Sequence, residues 1–260
     1  MVLLSTSFLI FRTQLVRIVR TRKALVCTLL ACVPVLVGWV AAIGSRGRIS
    51  PAELTTNVGW SLYLQAIVPL LALVAGTAVV SDEVEDRTIT YLFTRPIPRA
   101  ALFFGRWSAT VLCLGAMLFV ATFTFLAAAG RATGSGGELA PEIAKSLYLG
   151  VICGAVAYSA LFAALGVFVR HPMIVGLVYT FAIEGFFANL PGQSQRITVQ
   201  YYVRSLVVGV GGDAWRRVET FSSADLASVT TASGALAGIG LGALLLGAWV
   251  VRRKEFVLPS

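Results

Sequence analysis

The stretch VSDEVEDRTITYLFTRPIPRAALFFGRW, Val80–Trp107, decides the fold. It is the most polar and charge-dense run between two long apolar segments. It is too long for a tight turn and too patterned for a plain loop. Asp82 and Glu85 have the spacing of a capping box, which predicts a helix starting just past Ser81. Asp82, Glu83, Glu85 and Asp86 then fall in its first turn, where the helix dipole favours anions. Val84, Ile89, Leu92 and Phe93 make an apolar ridge at helical spacing. Arg95-Pro96-Ile97-Pro98 ends the pattern, because proline has no N–H and disfavours helix in the residue before it. Arg99 and Arg106 flank the next apolar segment. The prediction is a short amphipathic helix, within 81–99, at the mouth of a pair of membrane helices.

Composition points the same way. Of 260 residues, 57% are hydrophobic and 13% charged, against roughly 25% charged in soluble domains. Apolar runs near twenty residues recur, each able to cross a hydrocarbon core of ~30 Å. The expected fold is a single all-α integral membrane domain over 1–260. Its six spans are placed at about 24–43, 60–80, 103–130, 145–169, 173–190 and 232–251. Pro34 and Pro69 fall inside the first two spans, where a membrane helix tolerates them. Residues 1–23 put Arg12, Thr13, Arg17, Arg20 and Lys23 on one side and Leu4, Phe8, Phe11, Leu15 and Val19 on the other. This predicts a helix lying in the membrane interface rather than a signal peptide. Residues 44–59 read as an exposed polar loop. Residues 191–231 mix Tyr201, Tyr202, Val203 and Leu206 with glycines and bases. They read as an extracytoplasmic segment containing re-entrant or interfacial short helices.

Basic residues set the orientation. With the N-terminus inside, the inner segments hold Arg12, Arg17, Arg20, Arg22, Lys23, Arg87, Arg95, Arg99, Arg106, Arg170, Arg252, Arg253 and Lys254. The outer side holds fewer: Arg46, Arg48, Arg131, Lys145, Arg196, Arg204, Arg216 and Arg217. Both termini and the 81–99 segment are therefore expected in the cytoplasm, with the chain in the inner, cytoplasmic membrane. The formal net charge of +9 belongs to this topology and to lipid contact, not to nucleic acid, because no aromatic–basic interleaving accompanies it.

Few residues carry chemistry. Cys27, Cys32, Cys113 and Cys153 lie in apolar segments without a CxxC pair, and His171 is the single histidine. No metal site is expected, and the cysteines read as small buried residues. No paired acids or nucleophile elbow supports an intramembrane enzyme. No phosphate-binding loop of the GxxxxGK[ST] type occurs, so any ATP and Mg²⁺ must sit on another chain and no cofactor is expected in this one. Glu184 lies inside the fifth span. A charge there costs ~2.5–3.5 kcal/mol on insertion scales, so it needs a cavity, a partner or a proton, unless the helix ends early near the outer interface. Gln65 has the same ambiguity in the second span. Gly234, Gly238 and Gly242 make a ridge at four-residue steps, suited to close helix packing within one subunit or, alternatively, at a dimer seam.

The run Ser81-Asp82-Glu83-Val84-Glu85-Asp86-Arg87-Thr88, followed by Tyr91-Leu92, Arg95-Pro96-Ile97-Pro98-Arg99 and Gly105-Arg106, resembles the signature of ABC-2 type transporter permeases. Arg87 stands where glycine is common and Arg106 where lysine is common; both keep the charge pattern. The interfacial N-terminal helix, six spans and long segment between spans five and six fit the same family. The resemblance implies a membrane subunit of an ABC exporter. Its partners would be an ABC ATP-binding subunit and a second permease copy or homologue. It also implies that 81–99 is a coupling helix seated on the ATPase. Glu83, Glu85, Asp86, Arg87 and Thr88 would supply polar contacts or bracing, and Leu92 and Phe93 the apolar contact. Pro96 and Pro98 would stiffen the link, and Arg99 belongs to the same coupling set. Spans two and five would line the path, making Gln65 and Glu184 candidates there. The alternative is a non-transporting membrane anchor through which an ATPase works on an envelope partner.

Overall fold

The computed structural model describes residues 22–44, 50–85, 99–131, 140–187, 193–216 and 226–253. The expected interfacial helix over 1–23 lies almost wholly outside them. Within them every regular element is helical. Five helices are long and apolar enough to cross a membrane: Lys23–Gly44, Pro51–Val80, Ala100–Arg131, Pro141–Phe168 and Val229–Arg253; Pro172–Phe187 is shorter.

Helix α1, Arg22–Gly44, shows how an apolar helix acquires an inside. Cys27, Ala31, Pro34, Gly38 and Ala42 recur every three or four residues and are buried. Large residues fill the other face: Leu25, Leu29, Leu36, Val40 and Ile43 are exposed, as suits a lipid-facing surface. The small stripe packs on helix α4, Arg99–Arg131. Cys32 also lies on the exposed side, unlike the buried position expected for it.

The expected loop at 44–59 is corrected. Helix α2, Pro51–Val58, is capped by Ser50: its hydroxyl accepts from Glu53 N–H at 3.2 Å, and Glu53 Oε2 accepts from Ser50 N–H at 3.2 Å. This capping box, followed by proline at the first helical position, starts a helix before the apolar run begins. Leu54, Thr55 and Thr56 are buried. A π segment, Gly59–Ile67, follows, and then helix α3, Val68–Glu85. Val68 N–H bonds to Tyr63 O, five residues back. Pro69 offers no N–H at the next step, so the ordinary ladder is interrupted where the wide turn ends.

The end of α3 brings a second correction. No helix begins just past Ser81 among the described residues; α3 runs through it to Glu85. Asp82, Glu83 and Glu85 therefore lie on α3 and not in the first turn of a new helix. No proline or glycine interrupts the sequence from Thr77 to Glu85, so nothing stops the helix at Ser81.

Helix α5, Pro141–Phe168, is the central rod. It packs against α3, α4, α6 (Pro172–Val178), α8 (Val199–Gly211) and α10 (Val229–Arg253). The glycine ridge of α10 does not make these contacts. A Cβ on Gly234, Gly238 or Gly242 would meet nothing within 4 Å, whereas on Gly247 it would lie 2.9 Å from Phe103 and 3.3 Å from Ala164 Cα. Close approach within the chain is at Gly240 and Gly247, away from the predicted ridge.

The expected fifth span is not one continuous helix. After Arg170 and the exposed His171, α6 begins with Pro172 in its first turn. It passes into a second π segment, Tyr179–Glu184, and the short α7, Gly185–Phe187. The chain is described again from a 3₁₀ turn, Gln193–Ile197, which leads into α8. Contacts on α5 give the direction. Gly176 sits on Phe162, Glu184 bonds Tyr158, Val203 lies over Gly154 and Val207 over Gly150. The two pieces climb α5 one after the other. At the top, Gly212 takes φ +66°, a conformation that favours glycine, and ends α8. Helix α9, Asp213–Arg216, then turns Trp215 inward, where its Nε1–H donates to Ser146 Oγ at 2.8 Å. Much of α8, in the segment expected to be extracytoplasmic, is thus an interior helix: Val199, Tyr201, Val203, Leu206 and Val207 are all buried.

Candidate functional site

The most concentrated polar chemistry among the described residues lies at this break. Glu184 closes the second π segment and is 0% exposed. Its Oε1 accepts from the Tyr179 hydroxyl at 2.8 Å and from Val199 N–H at 3.0 Å. Its Oε2 accepts from the Tyr158 hydroxyl at 3.0 Å and from Gln200 N–H at 3.0 Å. Four donors from α5, the π segment and α8 converge on one carboxyl group.

These bonds complete the N-terminus of α8. A helix start leaves four backbone N–H groups without helical partners. Here Thr198 N–H donates to Gln195 O at 3.0 Å. Val199 and Gln200 donate to Glu184, and Tyr201 N–H donates to Thr198 Oγ1 at 3.2 Å. The dipole also favours an acid at this place. Aromatic rings brace the carboxyl from below: Tyr158 stacks on Phe162 with centroids 6.1 Å apart, and Phe162 meets Tyr179 edge-on at 6.0 Å.

One turn along α8, Arg204 is 3% exposed. It donates to the Gln195 side chain and lies 5.9 Å from the Tyr201 ring centroid. Ser205 links α8 onward: its hydroxyl donates to Tyr201 O at 2.8 Å and accepts from Ala227 N–H at 3.2 Å, just before α10.

The other sequence-derived candidates are dispersed. Gln65 is half-buried in the first π segment. Both polar residues singled out inside the spans therefore fall on the two π segments, a backbone form enriched at functional positions. Near Gln65, the buried Tyr63 hydroxyl donates to Leu118 O at 3.2 Å, a tie to α4 that the sequence did not signal. Glu83 and Glu85 belong to the last turns of α3, and Arg99 opens α4. Asp86, Arg87, Thr88, Leu92, Phe93 and Pro96 lie outside the described residues. No cluster that could hold a metal ion occurs among the described residues.

An apolar helical bundle with a carboxyl group buried at a helix break suits a membrane protein. The sequence matches the ABC-2 family transporter proteins over residues 9–191. The chain belongs to the ABC-2 transporter permease family. The match covers every element from α1 to α7 together with the 81–99 stretch, and stops before α8. No curated protein matches the chain. As an ABC-2 permease it is a multi-pass membrane component of an ABC transporter, a class that works with an ATP-binding subunit.

Proposed function

We propose that this ABC-2 permease is the membrane subunit of an ATP-driven exporter. It forms the translocation path with a second copy or a homologue in the cytoplasmic membrane, both termini inside. A separate ATP-binding subunit carries ATP and Mg²⁺ and performs the hydrolysis. The observation that carries the reading is the family match, which includes the acidic and proline-bearing stretch 81–99.

The packing supports 81–99 as the point of coupling. The two rods that enter and leave it are tied together at that end: Val79 of α3 and Ala100 and Phe103 of α4 share one buried cluster with Ala163 and Val167 of α5 and Leu244, Ala248 and Val251 of α10. A push delivered between the rods moves a packed unit instead of bending a loop. Leu92 and Phe93 supply the apolar contact with the ATPase, and Glu83, Glu85, Asp86, Arg87 and Thr88 the polar one. Pro96 and Pro98 stiffen the return, and Arg99 belongs to the same coupling set. The second and fifth crossings line the path, with Gln65 on the lining.

The test is cargo-dependent ATP hydrolysis by the reconstituted complex. Glu83→Ala and Leu92→Ala are expected to leave the permease assembled with its ATPase and to lower coupled transport at least severalfold. Normal coupled transport in both variants removes the coupling role.

A further inference from the structure

We propose that Glu184 is a positioning residue for transport: it clamps the two pieces of the fifth crossing together so that they move as one body. The proposal rests on the transporter reading and adds to it a task that lining the path does not explain. A 0% exposed side chain offers no surface to a path between chains.

The depth of the clamp makes it consequential. Tyr158 stands halfway between Lys145 on α5 and Arg170 just beyond its end, with no charged residue between them. At 1.5 Å per residue it is roughly 19 Å from either. Glu184, bonded to Tyr158, is therefore near the middle of the bilayer, where a cut helix has no water to satisfy its free N–H groups. The first piece, Pro172–Phe187, is short for a crossing; only with the 13 residues of α8 does the chain traverse. Glu184 is bonded to the beginning of α8 across fifteen residues of chain. Without that bond the link across the break is left to the separate packing of each piece on α5 and the contact of α7 with the 3₁₀ turn.

The chemistry of the site specifies a carboxyl group. Val199 and Gln200 present backbone N–H groups, which only donate, and each reaches a different oxygen. Glutamine has one oxygen and an amide nitrogen that cannot accept. Glu184→Gln therefore keeps size and shape but loses one of the two backbone bonds. The phenols can turn to accept; the backbone cannot.

The experiment uses the complex with its ATP-binding subunit in nanodiscs, the four cysteines replaced by alanine. Spin labels at Phe181→Cys and Asp213→Cys, both exposed positions, report one distance across the break. Labels at Leu36→Cys and Asp213→Cys report motion relative to α1. With ATP and vanadate, the 36–213 distance is expected to change and the 181–213 distance to stay fixed. Glu184→Gln is expected to broaden the 181–213 distribution. It should also lower kcat for ATP hydrolysis per assembled complex severalfold, with KM for ATP unchanged. Tyr158→Phe with Tyr179→Phe, which spares the backbone bonds, should give a smaller change of the same kind. That pair serves if Glu184→Gln does not assemble. A 181–213 distance that shifts with nucleotide in the unsubstituted complex overturns the proposal. So does a narrow distribution or normal kcat in the variants. Should nucleotide change no distance, the ATP-driven reading fails and the positioning role with it, while the breadth measured with Glu184→Gln still tells whether the clamp exists.

Discussion

Ser50 and Asp82 show what a residue pattern decides and what it leaves open. Each is followed three positions later by glutamate, the spacing of a capping box. At Ser50 the box forms and starts α2. At Asp82 it does not, because a helix is already running. Gly44, Gly47 and Pro51 bracket Ser50, whereas nothing breaks the sequence between Gly76 and Asp82. The pattern was legible in both places; the deciding information lay in the residues before it. Ser50→Ala should cost about 1 kcal/mol, the usual value for a lost N-cap. The measurement is the thermal unfolding midpoint of the detergent-solubilised protein. Glu53→Gln should cost less, since glutamine also serves in the box. An unchanged midpoint for Ser50→Ala would show that tertiary packing of Leu54 and Thr56 alone holds this start. Glu184 was legible as a misplaced charge, but its partners were not. Three of the four come from α5 and from α8, and neither local propensity nor periodicity encodes a contact of that range.

At the scale of elements, apolar runs locate helices well because hydrocarbon forces the backbone to satisfy itself. They do not say which face packs. On α10, the glycine repeat at 234, 238 and 242 suggested the packing side, yet Leu236, Leu244, Ala248 and Val251 are the buried residues and Gly240 and Gly247 the points of close approach. A repeat of small residues marks where a neighbour could come close; only the fold tells where one does. The two readings separate by mutation. Gly247→Leu forces its side chain into Phe103 and the α5 backbone and should destabilise by about 1–3 kcal/mol, as overpacking does. Gly238→Leu meets open space and should leave the thermal midpoint of the single chain unchanged. Equal loss in both would place a neighbour against the 234–242 face. The break in the expected fifth span was half legible. Its first piece reads as a short span and its second as an oddly apolar loop, because the sequence between them carries glutamine, arginine and proline.

The whole molecule has two unlike ends, and α5 defines them. Arg170 lies beyond one terminus of α5, and there the clustered packing of Val167 with Val251 brings in Arg252 and Arg253, while Arg99 and Arg106 arrive on α4. The other end holds fewer bases, Arg131, Lys145 and Arg216, beside Glu53, Glu142 and Asp213. The positive-inside rule assigns the first end to the cytoplasm, which is also the end of α3 and α4 that the proposed ATPase must reach. The two-piece crossing has to be a crossing for this to hold: if α8 folded back instead of continuing, Asp213 would come out beside Arg170. Trp215 on Ser146 argues that it continues. Single cysteines at Asp213→Cys and Arg253→Cys, in a cysteine-free background, settle the matter in intact cells. A membrane-impermeant maleimide is expected to label position 213 and to spare position 253 until the membrane is permeabilised. Labelling of position 253 with position 213 spared would reverse the assigned orientation. Labelling of neither would put the α8 and α10 ends on one side, and the fifth helix would then enter the bilayer and leave it without passing through.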